Sequence, residues 1–289
     1  MSRVYLDYNA TAPLRDAARD AMIAAMEVVG NPSSVHAEGR SAKALVERAR
    51  AQVAQAVGCK PQEVVFTSGA TEAARVMAHW PGPVEVNPAA HDALWAHGKA
   101  GEGVPLHAMG LANSETGVIS DIPAAREGAL LLDITQAVGR VPFSFAWSGA
   151  EMAILSAHKL GGPKGVGALI VRESVDIPAL SLGGGQEMGR RSGTENIIGI
   201  AGFGAAIEAA QRDLEAGLWR EVEKLRNILE TSLEAASKET IFVGKGNARL
   251  PNTSAVLTPG WKGETQVMAM DLAGFAVSAG SACSSGKVR

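Results

Sequence analysis

The stretch Ala153-Ile-Leu-Ser-Ala-His-Lys-Leu-Gly-Gly-Pro-Lys-Gly-Val-Gly167 carries an apolar run into a hydroxyl, an imidazole and an amine, then straight into a tight glycine-rich turn. An apolar run of this length closed by turn signals reads as a buried strand over 153 to 157, and 166 to 171 reads as another. Upstream, Ala129-Leu-Leu-Leu-Asp133 has the same design, an apolar strand that ends on a carboxylate. Glu63-Val-Val-Phe-Thr67 reads as a short buried strand that breaks into Ser68-Gly-Ala-Thr71 and a helix from Glu72, and 84 to 87 reads as a further strand. Between strands the period changes. Ala42, Leu45, Val46, Ala49, Val53, Ala56 and Val57 recur at helical spacing, with Ser41 as the expected N-cap and Gly58 as the stop.

This alternation predicts an α/β chain built on a mostly parallel sheet covered by helices on both faces. A longer helical region, 196 to 236, interrupted at Gly217, bridges to a smaller α+β C-terminal domain. That domain is expected to hold strands near 240 to 243 and 252 to 258, a helix near 264 to 273, and the run Gly274-Phe-Ala-Val277.

Composition narrows the function class. The 289 residues carry a formal net charge of -3 with acids and bases interspersed, so no basic face argues for nucleic acid or an anionic membrane. Neither a signal-like apolar core near Met1 nor a bilayer-length apolar span is seen, and the expected compartment is the cytoplasm. Two cysteines, Cys59 and Cys283, in unlike settings, make a disulfide framework a poor reading. No histidine spacing suggests a metal site.

In open α/β sheets, ligands gather where strands end. Ser68-Gly-Ala-Thr71 offers backbone N–H groups to a phosphate, while Asp133 and Gln136 follow one strand and Ser156, His158 and Lys159 follow another. An amine, an acid and a phosphate cradle at one strand edge are what pyridoxal phosphate (PLP) requires: an amine for its aldehyde, a carboxylate for its ring nitrogen, and donors for its phosphate.

With these residues in place the chain resembles the cysteine desulfurases, PLP-dependent enzymes of the class V aminotransferase group. The resemblance rests on eight pieces in the family's order: Tyr5-Leu-Asp-Tyr-Asn-Ala-Thr-Ala-Pro13, Gly30-Asn-Pro-Ser-Ser-Val-His36, Phe66-Thr-Ser-Gly-Ala-Thr-Glu72, Asn113-Ser-Glu-Thr-Gly117, Asp133-Ile-Thr-Gln136, Ser156-Ala-His-Lys159, Arg191-Ser-Gly-Thr194 and Ser278-Ala-Gly-Ser-Ala-Cys283. The cysteine loop is similar to that of the branch serving iron-sulfur cluster assembly. The resemblance implies the fold-type I, aspartate aminotransferase-like architecture, with residues 13–212 as the large domain and 1–12 with 213–289 as the small one. It implies a homodimer with the site at the subunit interface.

Residue by residue, the resemblance implies Lys159 as the Schiff-base lysine and proton carrier, and Asp133 as partner of the pyridine nitrogen. It implies Gln136 against the phenolic oxygen and His91 stacked on the ring. Ala70, Thr71, Ser156 and His158 would lie around the phosphate, with Thr194 reaching in from a second subunit, and Asn113 beside cofactor and substrate. L-Cysteine would be the substrate. The Cys283 thiolate would take its sulfur as a persulfide, releasing alanine, and pass it to an acceptor or iron-sulfur scaffold protein. Cys283 sits among serines and glycines with little apolar company, which favours a reactive thiol, whereas Cys59 at a helix end reads as incidental.

Departures from the family pattern keep other readings open. The Thr71 to His91 and His91 to Asn113 intervals are shorter than usual, so a strand and a helix of the large domain are expected to be missing. No residue can be assigned the role of the family's carboxylate-clamping arginine; Arg191 and Arg289 are the nearby candidates by sequence, and neither matches the motif. The alternatives are another PLP enzyme of this fold, such as a selenocysteine lyase, an aminotransferase or an epimerase, or an inactive PLP-binding scaffold protein.

Overall fold

The computed structural model describes residues 3–123, 126–237 and 239–280. After a short strand β1 (Val4–Tyr5) come helices α1 (Asp16–Met26) and α2 (Ala37–Val57). The core of the molecule is a six-stranded sheet of β2 (Val64–Thr67), β3 (Val84–Val86), β4 (Leu106–Gly110), β5 (Ala129–Asp133), β6 (Met152–Ser156) and β7 (Gly167–Val171), in the order β2-β7-β6-β5-β4-β3. Strands β3 to β6 pair in parallel, while β7 runs antiparallel to both β6 and β2. Two antiparallel steps restore direction, so β2 points the same way as β3 to β6, and β7 is the single reversed strand. Five strands therefore deliver their C-terminal ends to one edge.

The apolar runs read from the sequence are buried on both faces. Leu130, Leu132, Ala153, Leu155, Ala168 and Ile170 share one cluster, and Leu131, Met152, Ile154, Leu169 and Val171 share the other, as period-two alternation requires. The first face is covered by long helices: α1, α2 and α5 (Ile197–Glu215), through Val46, Ala49, Val53, Ile200, Phe203 and Ile207. Gly204 allows α2 and α5 to meet, since a Cβ there would lie 2.7 Å from the Ala49 Cα. The second face is covered thinly, by α3 (Ala70–Ala73), the 3-10 turns of residues 74–79 and the one-turn α4 (Asp92–Trp95), through Ala73, Val76, Met77 and Leu94.

Several expectations are corrected here. The helix expected from Glu72 is a single α turn that tightens into 3-10 geometry. Within the two short intervals the described residues form one strand each, β3 and β4, and otherwise only short helical turns: α3, the 3-10 turns of residues 74–79 and α4. Helix α2 starts five residues before the apolar period, capped by His36, whose Nδ1 accepts the Gly39 amide at 3.3 Å; Ser41 lies inside the helix and donates to the Ala37 carbonyl. Gly58 does close it, in the left-handed conformation at φ 69°.

After α5, Gly217 (φ 73°) breaks the long helical region, and α6 (Trp219–Ala236) follows. Strands β8 (Ile241–Val243) and β9 (Ala255–Leu257) form an antiparallel pair, and after α7 (Gly263–Leu272) the strand β10 (Phe275–Ala276) pairs in parallel with β1. No helix among the described residues is long and apolar enough to cross a membrane.

Candidate active site

At the shared C-terminal edge lies a cavity of about 290 Å³, near the lower end of small-molecule pockets. Each of the five co-directional strands contributes to its wall: Ala70 and Thr71 after β2, Ala89 and His91 after β3, Gly110 and Asn113 on and after β4, Asp133 and Gln136 on and after β5, Ser156, His158 and Lys159 on and after β6. Ser114, next to Asn113, adds to the β4 wall, and Ala10 closes the cavity from the N-terminal segment. The candidate amine and the candidate carboxylate thus face one cavity. Register explains why: Asp133 pairs with Ile154 on β6, so the turn that follows β6 emerges beside the end of β5.

Lys159 is 6% exposed and donates through Nζ to the Asn9 carbonyl at 2.6 Å and the Ala10 carbonyl at 2.8 Å. Asp133 Oδ1 accepts the Thr135 amide at 2.9 Å, which fixes the carboxylate at the strand end. Ser156 is buried, and its Oγ accepts the Ala70 amide at 3.4 Å, tying the end of β6 to the start of α3. Gly69 sits at this junction with φ 158°, and Gly167 packs so closely on it that a Cβ at 167 would lie 2.6 Å from the Gly69 Cα. Because α3 is only one turn long, it brings individual backbone N–H groups and hydroxyls to the cavity and no developed macrodipole.

Burial first, then the charges of Lys159 and Lys164, pushes the His158 imidazole down to about 4, so it is neutral at neutral pH. Its Nδ1 lies 3.2 Å from Thr11 Oγ1. His91 caps α4, with Nδ1 accepting the Ala93 amide at 3.0 Å, which leaves the proton on Nε2. Asn113 is more tied down than expected: Oδ1 accepts from Glu115 N, Thr116 N and Thr116 Oγ1, and Nδ2 donates to the Ala89 carbonyl at 2.9 Å. It clamps the loop after β4 to the loop after β3, and so holds His91 in place.

Thr194 is exposed and does not line the cavity. Cys283 falls outside the described residues, as does Arg289. Arg191 is engaged with Glu72, at 2.9 and 3.4 Å. Burial raises the Glu72 carboxyl, but the bonds from Arg191 and the Ser68 amide outweigh it and hold it below the ordinary carboxylate range. Cys59 is inert, its thiol pushed up to about 12 by burial and then by Glu63.

The sequence reading missed Arg140. Only 5% exposed, it donates from Nη1 to the Gln136 carbonyl at 3.1 Å and to Gln136 Oε1, and from Nη2 to the Lys159 carbonyl at 2.7 Å. A single arginine after Gly139 reads as a solvated charge, and no pattern in one dimension places the Lys159 turn upon it.

The family model for aminotransferase class-V matches residues 4–91 and 99–288. A cysteine desulfurase of Cereibacter sphaeroides is 38% identical, over 99% of this chain and 84% of its own length. One from Enterobacter agglomerans is 36% identical, over 100% and 82%. The alignments run over 330 and 333 positions, more than the chain's 289 residues, so these relatives hold internal segments that this chain lacks. A NifS-like protein from Rickettsia africae superposes with a TM-score of 0.90 at 30% identity, covering 97% of this chain and 88% of that one.

Proposed function

This chain belongs to the aminotransferase class-V family, and on that premise we propose that it is a PLP-dependent cysteine desulfurase that supplies sulfur for iron-sulfur cluster assembly or related transfer. The observation that carries the reading is the convergence of Lys159 and Asp133, from adjacent parallel strands, on one cavity.

The donor set fits PLP. When bound, PLP supplies an aldehyde that links to an amine and a cationic ring that withdraws electrons from the bond to be broken. Lys159 offers the amine and afterwards a base that moves the substrate α-proton. Asp133, held by the Thr135 amide, would pair with the ring nitrogen and keep it protonated. The Ala70 and Thr71 segment, Ser156 and His158 would hold the phosphate, His158 as a neutral hydrogen-bonding group and not as a cation. His91 would stack on the ring, and Asn113 shapes the wall by joining two loops. Cys283, on the serine- and glycine-rich segment 278–286, takes sulfur from L-cysteine, leaving alanine and a persulfide for an acceptor protein.

The working form is proposed to be a cytoplasmic homodimer, with residues 13–212 as its large domain and 1–12 with 213–289 as the small one. Thr194, exposed and away from its own chain's cavity, is available to a second copy. The test is release of sulfide and alanine from L-cysteine by PLP-loaded protein. Lys159→Ala and Cys283→Ser are both expected to lose sulfur release, and only Lys159→Ala loses the yellow colour. Full sulfur release by Cys283→Ser would overturn the persulfide role.

A further inference from the structure

Arg140 lies beneath the cavity floor and bonds to the turns after two strands at once: the Gln136 carbonyl and Oε1 after β5, and the Lys159 carbonyl after β6, with Asn9 Oδ1 at 3.5 Å. A guanidinium has five donors and no acceptor, so it can face only the oxygen of a carboxamide. The Gln136 amide is thereby oriented. Oε1 turns toward Arg140, and Nε2 is left to donate to the Asn9 carbonyl at 3.0 Å, the same oxygen that receives Lys159 Nζ at 2.6 Å. The amine of Lys159 and an N–H of Gln136 are therefore brought to one acceptor, side by side.

We propose that Arg140 is a positioning residue for the Lys159 chemistry: it fixes the Lys159 turn against the Gln136 turn and forces Gln136 to present an N–H, not a carbonyl, to the cofactor's phenolic oxygen. The inference rests on the reading of Lys159 as the PLP-binding amine. An N–H aimed at that oxygen stabilises its anionic form, and a buried guanidinium nearby opposes a second positive charge. Both effects disfavour protonation of the lysine-linked cofactor, so both lower the pH at which its colour changes.

The experiment is a spectrophotometric pH titration of PLP-loaded protein. Arg140→Met is expected to move the colour-change midpoint upward by about one unit, the size that loss of a neighbouring charge and a donor produces. Arg140→Lys, which restores a charge without the planar fork, is expected to recover part of the shift. Gln136→Glu, which still accepts from Arg140 but offers no N–H, is expected to shift the midpoint upward too. A merely structural arginine would lower the melting temperature and leave the midpoint at its wild-type value, and that result overturns the proposal. If Arg140→Met does not fold, unchanged midpoints in Arg140→Lys and Gln136→Glu overturn it equally. Wild-type protein that stays colourless with PLP overturns both the proposal and the function it rests on, whereas a coloured wild type with unshifted variants overturns the positioning role alone.

Discussion

The strand-edge region and the C-terminal region are built by opposite rules. In β5, β6 and β7 nearly every residue is buried, and long helices seal one face. In the C-terminal region α7 buries no residue and α6 buries only Glu230, while Leu225, Ile228, Ile241, Leu257 and Met268 are exposed and Leu272 is 88% exposed. The first region has the density that holds side chains in fixed rotamers. The second keeps its order through polar ties. Glu230 accepts from Arg249 at 2.9 and 3.0 Å and from Ser254, and Asn252 and Thr253 bond to the side chain of Asn9. Preorganisation is therefore concentrated at the strand edge that carries Lys159 and Asp133, and the C-terminal region is joined to it through Asn9, the backbone bonds of Ile119 to Ala248 and Leu250 to Gly117, and the buried Leu250, which packs into the main core.

A buried ion pair in each region makes the contrast measurable. Arg50 bonds Glu187 at 2.8 and 2.9 Å under the sheet, with the same carboxylate accepting the Phe66 amide; Arg249 bonds Glu230 in the C-terminal region. Arg50→Met leaves the Glu187 charge buried without its cation and is expected to cost about 3–5 kcal/mol in chemical denaturation. Arg249→Met should speed amide hydrogen exchange in α6, β8 and β9 while leaving β5 to β7 at the wild-type rate; equal acceleration in both would show that the two regions are one cooperative unit.

Core truncation gives the next largest contrast. Ile154→Ala, at a fully buried β6 position, should cost about 2–5 kcal/mol. Leu272→Ala, on the open face of α7, should change stability by less than about 0.5 kcal/mol. A large loss at Leu272 would mean that this face is covered in solution.

The smallest effect is on pH. The folded His158 imidazole titrates near 4, below its ordinary 6.5, so between those values the unfolded chain binds more protons. Its contribution to stability is complete above about 6.5 and is lost as pH falls through about 4. The carboxyls of Glu72 and Glu230, both held low, lose their contribution in the same acid direction. His158→Gln should flatten the acid side of the melting-temperature profile between those two pH values. A profile that keeps its wild-type slope there would contradict the burial of this ring.

How much was legible in the sequence follows the same divide. The runs at 129–133, 153–157 and 166–171 declared β5, β6 and β7 to within a residue, because strands buried on both faces have little choice of composition. Strand β4 stayed hidden: Leu-His-Ala-Met-Gly mixes a part-exposed histidine and a glycine into a short run. The start of α2 was misplaced because an imidazole, not a hydroxyl, caps it. Asp133, Ser156, His158 and Lys159 could be found because each closes or follows an apolar run. Arg140 could not, since its importance arises only when two turns distant in sequence land on one guanidinium.

The most direct test is to load the protein with PLP, reduce it with borohydride and locate the added mass by peptide mapping. The account predicts the adduct on Lys159, with Asp133→Asn still trapping the cofactor there but losing turnover. An adduct on another lysine, or full turnover in Asp133→Asn, would contradict it.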